Sequence, residues 1–342
     1  MGMFTWLLMI AISRAAPATC GDWVSTTVPG APGELRDAKI EITERGALYA
    51  FWRRAATDAL DVGRLTQEGW SITTVGRGHG DFALHDGRPS VVYSNCEGIH
   101  CEVHYARPLN GVWSDTLAAS FKHPISTPVL SMNASGVPHA AYTQTIGDVS
   151  TVMHLSSEFG GWHRATVATS DKRLGPASLV MNAEGEPEIA YTSSHLGGRI
   201  HLAKRSKKMW AQESTGLGRG RAIQLEFGAV GANYLAYFLD GQRVAIQTPS
   251  HGWVNYGKPV EGRGVLAVDA KGAPQFLVIT ENRERRDLKW VRWTGRDWSV
   301  SPIATDPRGF STATFTLDAS GCPHVLYQHS GSRQTVYART AL

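Results

Sequence analysis

The chain has 342 residues, 42% of them hydrophobic and 19% charged, with 36 glycines and a formal net charge of +4. That composition excludes a disordered polymer and supplies enough apolar material for a large core. The charge is mild and no Lys/Arg-dense tract occurs, which excludes a nucleic-acid-binding arm.

The first predicted element is an export signal. An apolar run from Phe4 to Ile12 precedes Ala16-Pro17-Ala18, an A-x-A cleavage pattern ahead of Thr19. The run is too short to span a bilayer, and no later segment approaches the ~20 apolar residues a helix would need. Residues 1–18 are therefore expected to be a signal peptide and residues 19–342 a single domain. That domain should be soluble and secreted, periplasmic or at the cell surface. GDWVSTTV, residues 21–28, follows as the first expected strand.

From there the chain repeats itself. MNASGVPHAAYTQ, residues 132–144, is nearly restated as LDASGCPHVLYQ, residues 317–328. A Gly is followed six positions later by an aromatic at Gly46/Trp52, Gly87/Tyr93, Gly136/Tyr142, Gly185/Tyr191, Gly231/Tyr237 and Gly321/Tyr327, and Gly272 keeps the spacing with Val278. Apolar, strand-like residues flank each Gly, so each copy predicts a β-hairpin turning there. Downstream of six hairpins stands a Trp (Trp70, Trp113, Trp162, Trp210, Trp253, Trp298), and a further strand residue precedes it: Val62, Tyr105, His154, Leu202, Ile246 and Trp290. Each repeat thus predicts four short strands. The period suits a propeller blade. The seventh copy lacks a fourth strand, and the residues 21–28 strand has the form to supply it. The expected architecture is an all-β, seven-bladed β-propeller of four-stranded antiparallel blades, closed by the N-terminal strand, which would also remove exposed sheet edges.

The pattern of apolar strand, D/N-x-x-G-x-P-H, aromatic and G-x-W resembles bacterial secreted seven-bladed propellers with sialidase-like or lectin-like repeats. It covers residues 21–342. The sialidase Asp-box is not reproduced, since P-H or P-E follows the Gly. The resemblance implies the fold and leaves lectins, hydrolases, lyases and scaffolds as possible functions.

Four cysteines point to an oxidising compartment. Cys96 and Cys101 lie across one hairpin loop and predict a disulfide, with a metal site involving His100 and His104 as the alternative. Cys20 and Cys322 fall on loops of the last blade that emerge on one face, which predicts a bridge locking the closure. The alternative for Cys20 is a lipid anchor. The repeated aromatics and the Trp series are expected to be packing residues, and His139 and His324 to be satisfied by the turn backbone.

The loops joining successive blades carry a cation in every case: Arg36, Arg77, Lys122, Arg173, Arg219 with Arg221, Arg263 and Arg308. Arg53-Arg54 and RERR, residues 283–286, should emerge on the same face. Arg suits forked hydrogen bonds to carboxylate or sulfate, so these residues are the candidate site for an acidic glycan. The acids Asp37, Asp81, Asp171, Glu261 and Asp306 dilute the charge. For a catalytic alternative, a sialidase-like hydrolase or polysaccharide lyase, the nominees are the pair Asp37/Asp81 and His79 as base. No cofactor is expected, because the Gly-rich stretches GRGHGDF and GLGRGRA do not stand between a strand and a helix. No metal is expected either. The partner is expected to be an extracellular glycan or protein, and the protein a monomer.

Overall fold

The computed structural model describes residues 20–29, 33–194, 197–229, 231–238, 242–248, 252–255, 262–281 and 284–341. The expected signal peptide and Thr19 lie outside them. The architecture is all-β. β1 (Trp23–Thr27) comes first. Repeat 1 then supplies β2 (Leu35–Ile42), β3 (Leu48–Arg54), β4 (Ala59–Thr66) and β5 (Gly69–Arg77). Repeat 2 supplies β6 (His79–His85), β7 (Arg88–Glu97), β8 (His100–Leu109) and β9 (Val112–Phe121). Repeat 3 supplies β10 (Val129–Met132), β11 (Pro138–Ile146), β12 (Val149–Ser156) and β13 (His163–Ser170). Repeat 4 supplies β14 (Ser178–Met181), β15 (Pro187–Thr192), β16 (Gly198–Ser206) and the start of β17 (Met209–Gly228). Repeat 5 takes the end of β17 with β18 (Ala232–Phe238), β19 (Gln242–Thr248) and β20 (Gly252–Asn255). Repeat 6 supplies β21 (Arg263–Val268), β22 (Pro274–Glu281), β23 (Arg286–Trp293) and β24 (Trp298–Asp306). Repeat 7 supplies β25 (Phe310–Leu317), β26 (Pro323–His329) and β27 (Thr335–Thr340).

Each repeat is an antiparallel meander paired in chain order. The last is completed by β1, which pairs with β27 from Trp23↔Thr340 to Thr27↔Val336. Repeats 4 and 5 share one seven-stranded sheet because β17 leaves β16 at Gly220 and takes up β18 at Arg221.

The repeated signature has a local cause. In four repeats an Asn or Asp three residues before the Gly accepts two backbone N–H groups; Asn133 Oδ1, for example, accepts from Ser135 (3.0 Å) and Val137 (2.9 Å). Asn182, Asp269 and Asp318 do the same. The Gly then takes the left-handed conformation, φ +74° at Gly136, which a side chain would resist.

Packing runs between neighbours. Among the described residues each buried apolar cluster is shared by consecutive repeats, and one of them joins Leu326 and Tyr337 of repeat 7 to Leu35, Ile40 and Trp52 of repeat 1. The repeated aromatics are buried, as expected. Three of the Trp series pack backwards onto the third strand of the preceding repeat: Trp162 on Tyr105 (5.5 Å between centroids), Trp210 on His154 (5.3 Å) and Trp70 on Tyr337 (5.9 Å), whereas Trp298 meets Phe276 and Trp293 of its own repeat. Trp23 also packs backwards, onto Trp290 at 6.1 Å, so β1 brings its own copy of the series. These edge-on contacts add to the area that the rings bury.

Side chains also tie the free edges of the first strands together. Asp81, Ser178 and Gln224 occupy one repeat position, and each accepts the N–H at the following position of the next repeat: Leu130 (2.8 Å), Leu225 (2.9 Å) and Leu266 (2.8 Å). Lys39 at the same position has no acceptor and donates to the Phe82 carbonyl at 2.6 Å, leaving Glu41 to accept from Leu84 N–H. An edge that no fifth strand covers is thereby satisfied.

Both disulfides form, Cys20–Cys322 and Cys96–Cys101. The first occupies the thiol that a lipid anchor at Cys20 would need. The second removes both thiolates from the metal alternative. His139 and His324 differ from expectation. His139 Nδ1 lies 3.0 Å from His154 Nε2 and His324 Nδ1 lies 2.6 Å from Tyr337 Oη, so the third strand, and not the turn backbone, meets them.

Candidate functional site

In an antiparallel meander the start of the first strand, the end of the second, the start of the third and the end of the fourth share one end of the sheet. The inter-repeat loops and the second-to-third-strand loops therefore emerge together, on what we call the loop face.

The hairpins reach different heights there. Glu97 and Ile146 end β7 and β11 eight residues beyond the matching Pro89 and Pro138, while Thr192 ends β15 only five beyond Pro187. Three residues of strand make a step of about 10 Å. Repeats 2 and 3 form a wall tipped by exposed Ile99, Ile146 and Val149, with the Cys96–Cys101 bridge closing the first hairpin. The second strand of repeat 4 ends lower beside it.

Over repeat 4 the loop face holds a depression of about 700 Å³ lined by Lys172, Ser193, Ser194, Gly197, Gly198, Arg199 and Arg219. Three cations meet there, and none of these lining residues is a carboxylate. Gly198 lets the floor pack closely: a Cβ there would lie 2.6 Å from Ser193 Oγ. Arg219 Nη2 donates to the Gly197 carbonyl at 3.4 Å, which holds its guanidinium over the floor.

The predicted cations divide. Arg219 lines the depression, and Arg173 follows Lys172 in the chain; Arg77, Lys122 and Arg308 are exposed on other loops. Arg36 pairs with Glu34 at 2.9 Å, and Arg221 lies over the Phe238 ring at 5.2 Å. Arg263 begins β21, and its side chain is outside the described set. Lys172 and Arg199 were missed as site residues; Arg199 stands inside a strand-start motif, G-G-R-I, that carries no loop signal.

Arg53 and Arg54 are not available to a ligand. Arg53 is clamped between Asp37 and Asp58, both at 2.6 Å, and Arg54 forms a two-pronged pair with fully buried Asp61. Asp37 and Asp58 hold left-handed backbone, φ +50° and +54°. From RERR, Arg286 meets Glu281 at 3.1 Å and Arg285 meets Asp287 at 3.4 Å, while Arg283 lies outside the described residues.

The nominated acid/base pair is not one site. Asp81 is spent on Leu130 N–H, Phe82 N–H and Lys39, whereas Asp37 stands on the loop face with its Oδ2 3.5 Å from His79 Nδ1. Around Lys39 the first strands form a half-buried charged cluster. Burial works against the charge on Lys39, but Asp81 and Glu41 outweigh it and hold the amino group above its usual range. Burial pushes Glu41 up, and pushes Glu226 up to about 7.

No protein-family model matches the sequence, and neither does any curated protein. Solved structures do match in shape. An ulvan lyase bound to -[GlcA(1-4)Rha3S]- aligns with TM-score 0.60 at 10% identity, over 96% of this chain and 95% of that one. Virginiamycin B lyase from Staphylococcus aureus aligns with TM-score 0.60 at 11% identity, over 94% and 100%. A Hadza microbial sialidase aligns with TM-score 0.52 at 12% identity, over 86% and 73%. All are propeller-type proteins. At such identities the likeness establishes the fold and nothing of the chemistry.

Proposed function

We propose that this chain is a secreted, monomeric, seven-bladed propeller, closed by β1, that binds an acidic glycan on its loop face. The blade count follows the repeats, and the closure rests on the β1–β27 pairing and on the cluster shared by repeats 7 and 1. Export is supported by the two disulfides. The observation that carries the binding reading is the depression where Lys172, Arg199 and Arg219 meet with no carboxylate among the described residues that line it. Guanidinium groups there can fork onto a carboxylate or sulfate, and a concave basic surface attracts anions more strongly than isolated charges do. Arg77, Lys122, Arg173 and Arg308 extend the basic track along the loop face. The ulvan lyase and the sialidase, both named for action on sugars, fit this reading without carrying it.

An array of acidic and neutral glycans tests it. Acidic members should be preferred, binding should weaken with salt, and Arg199→Ala and Arg219→Ala should each weaken it roughly tenfold, the loss of about one charge-assisted hydrogen bond. Binding of neutral sugars that ignores both substitutions would move the site away from the depression, to surfaces between neighbouring repeats. Binding to no glycan at all would leave a protein partner as the reading.

A further inference from the structure

In a repeat protein, structural roles recur from copy to copy, so a polar constellation present in one copy alone asks for another explanation. The residue two after the repeated aromatic is Arg54, Asn95, Gln144, Ser193, Leu239 and Thr280 in repeats 1–6, but His329 in repeat 7. His329 ends β26 on the loop face, and its Nδ1 lies 2.6 Å from Asp306 Oδ2 at the end of β24. Burial would raise the Asp306 carboxyl, but the backbone N–H groups of Arg308 and Gly309 together with His329 bring it below its ordinary value. Asp306 is therefore ionised and can only accept. Nδ1 is therefore the donor to Asp306, which leaves Nε2 as the ring nitrogen that a substrate can meet. The rings of Phe310 and Tyr327, 5.5 and 5.3 Å away, hold the imidazole in place.

Two arginines frame this pair, Arg308 and Arg286, whose exposed ion pair with Glu281 at 3.1 Å an incoming carboxylate would have to replace. Arg286 Nη1 donates to the Arg308 carbonyl at 3.2 Å, and Arg286 passes so close over Gly309 that a Cβ there would meet its Cδ at 2.3 Å. The Arg308 side chain crosses Gly331 in the same way. An oriented imidazole beside guanidinium groups suits removal of a proton from the carbon next to a carboxylate, with the cations stabilising the charge that develops on that carboxylate. The paired carboxylates of a glycosidase are not what is arranged, since Asp306 has Oδ1 engaged by Arg308 N–H at 2.7 Å and Oδ2 by His329.

We propose that His329 is the catalytic base of a β-elimination on uronate-containing glycans, with Asp306 as its positioning residue and Arg286 and Arg308 as carboxylate anchors. This rests on the reading that the loop face takes acidic glycans. His329 Nε2 accepts the proton on C5 of the uronate, the C–H electron pair becomes the C4–C5 double bond, and the C4–O glycosidic bond breaks with its electrons going to oxygen. The departing oxygen takes a proton from the imidazolium or from water. One chain becomes two, one ending in an unsaturated uronate and the other in a hydroxyl, with no net oxidation.

The test is incubation with polygalacturonate, alginate, hyaluronan, chondroitin sulfate and ulvan, following the ultraviolet absorbance of the unsaturated product and, separately, salt-sensitive retention of each polymer. At least one polymer should be cleaved. His329→Gln should lower the rate at least about 10²-fold while retention and thermal midpoint hold. Asp306→Asn keeps the turn's acceptor but offers N–H to Nδ1, forcing the wrong tautomer; it should cut the rate comparably. Asp306→Glu should restore part of it with a displaced pH profile. Retention of uronate polymers without any unsaturated product would overturn the catalytic proposal and leave binding intact. An equal rate in His329→Gln would do the same. Retention of none would instead remove the binding reading beneath it.

Discussion

His139 and His154 form a pair that water does not reach, and burial lowers His139 to about 4 and His154 to about 2 from an ordinary 6.5. The neutral pair is what folding favours. Its contribution is complete above about pH 6.5 and is lost as pH falls toward 4, at up to about 1.4 kcal/mol per pH unit for each imidazole. Between pH 7 and 5 the pair should remove about 2–4 kcal/mol, measurable by urea unfolding at both values. His154→Leu copies the Leu202 of repeat 4 and should roughly halve that difference; an unchanged pH dependence would exclude the pair as its source. Glycines offer a second residue-level comparison. Gly78 has φ +121° and a Cβ would fall 2.0 Å from the Ser94 carbonyl oxygen, whereas Gly46 has φ +79° with open space around it. Gly46→Ala should cost about 1 kcal/mol from backbone strain alone, and Gly78→Ala clearly more, read as the gap between their thermal midpoints.

At the level of elements, the latches between first strands and the two disulfides set how firmly neighbours hold. Gln224 accepts from Leu266 N–H and donates to Leu266 C=O, so Gln224→Ala strands two edge groups and should cost about 1–3 kcal/mol in chemical denaturation. A loss no larger than that of an exposed surface change would mean that water replaces the latch. Cys20–Cys322 spans 302 residues and Cys96–Cys101 spans 5. On chain-entropy grounds the long bridge should contribute roughly 3 kcal/mol more, which paired Cys→Ser variants would reveal. The hairpins and Trp strands were legible because each carries its own turn chemistry and an apolar period. The passage from repeat 4 to repeat 5 was not, since GLGRGRA reads as loop while β17 runs through it, with Gly216 and Gly218 supplying positive φ. The site was legible only as a face. Which cation is free depends on acids brought in by other strands, as Asp37 on β2 neutralises Arg53 on β3, and the join of His329 to Asp306 spans a turn and a strand pair that no local pattern announces.

For the whole molecule, the order of sheets follows from the sequence period, while the relief of the loop face arises from unequal hairpin lengths around that order. Deleting residues 20–29 would bare the edge of β27 and the groove that Trp23 fills against Trp290. Such a chain should self-associate, seen as added mass in light scattering; a well-behaved monomer would show that the edge is protected otherwise. The same pairing sets a clock. Synthesis delivers β1 before all seven repeats and β27 after the other strands described, so β1 must wait, unpartnered, until the strand it pairs with has emerged. Repeats 1 to 6 can assemble in the meantime, each on the one before it. Completion of repeat 7 is then the slow, long-range step, and a circular permutant that places residues 20–29 directly after Ala341 should mature faster than the natural order while reaching the same final state.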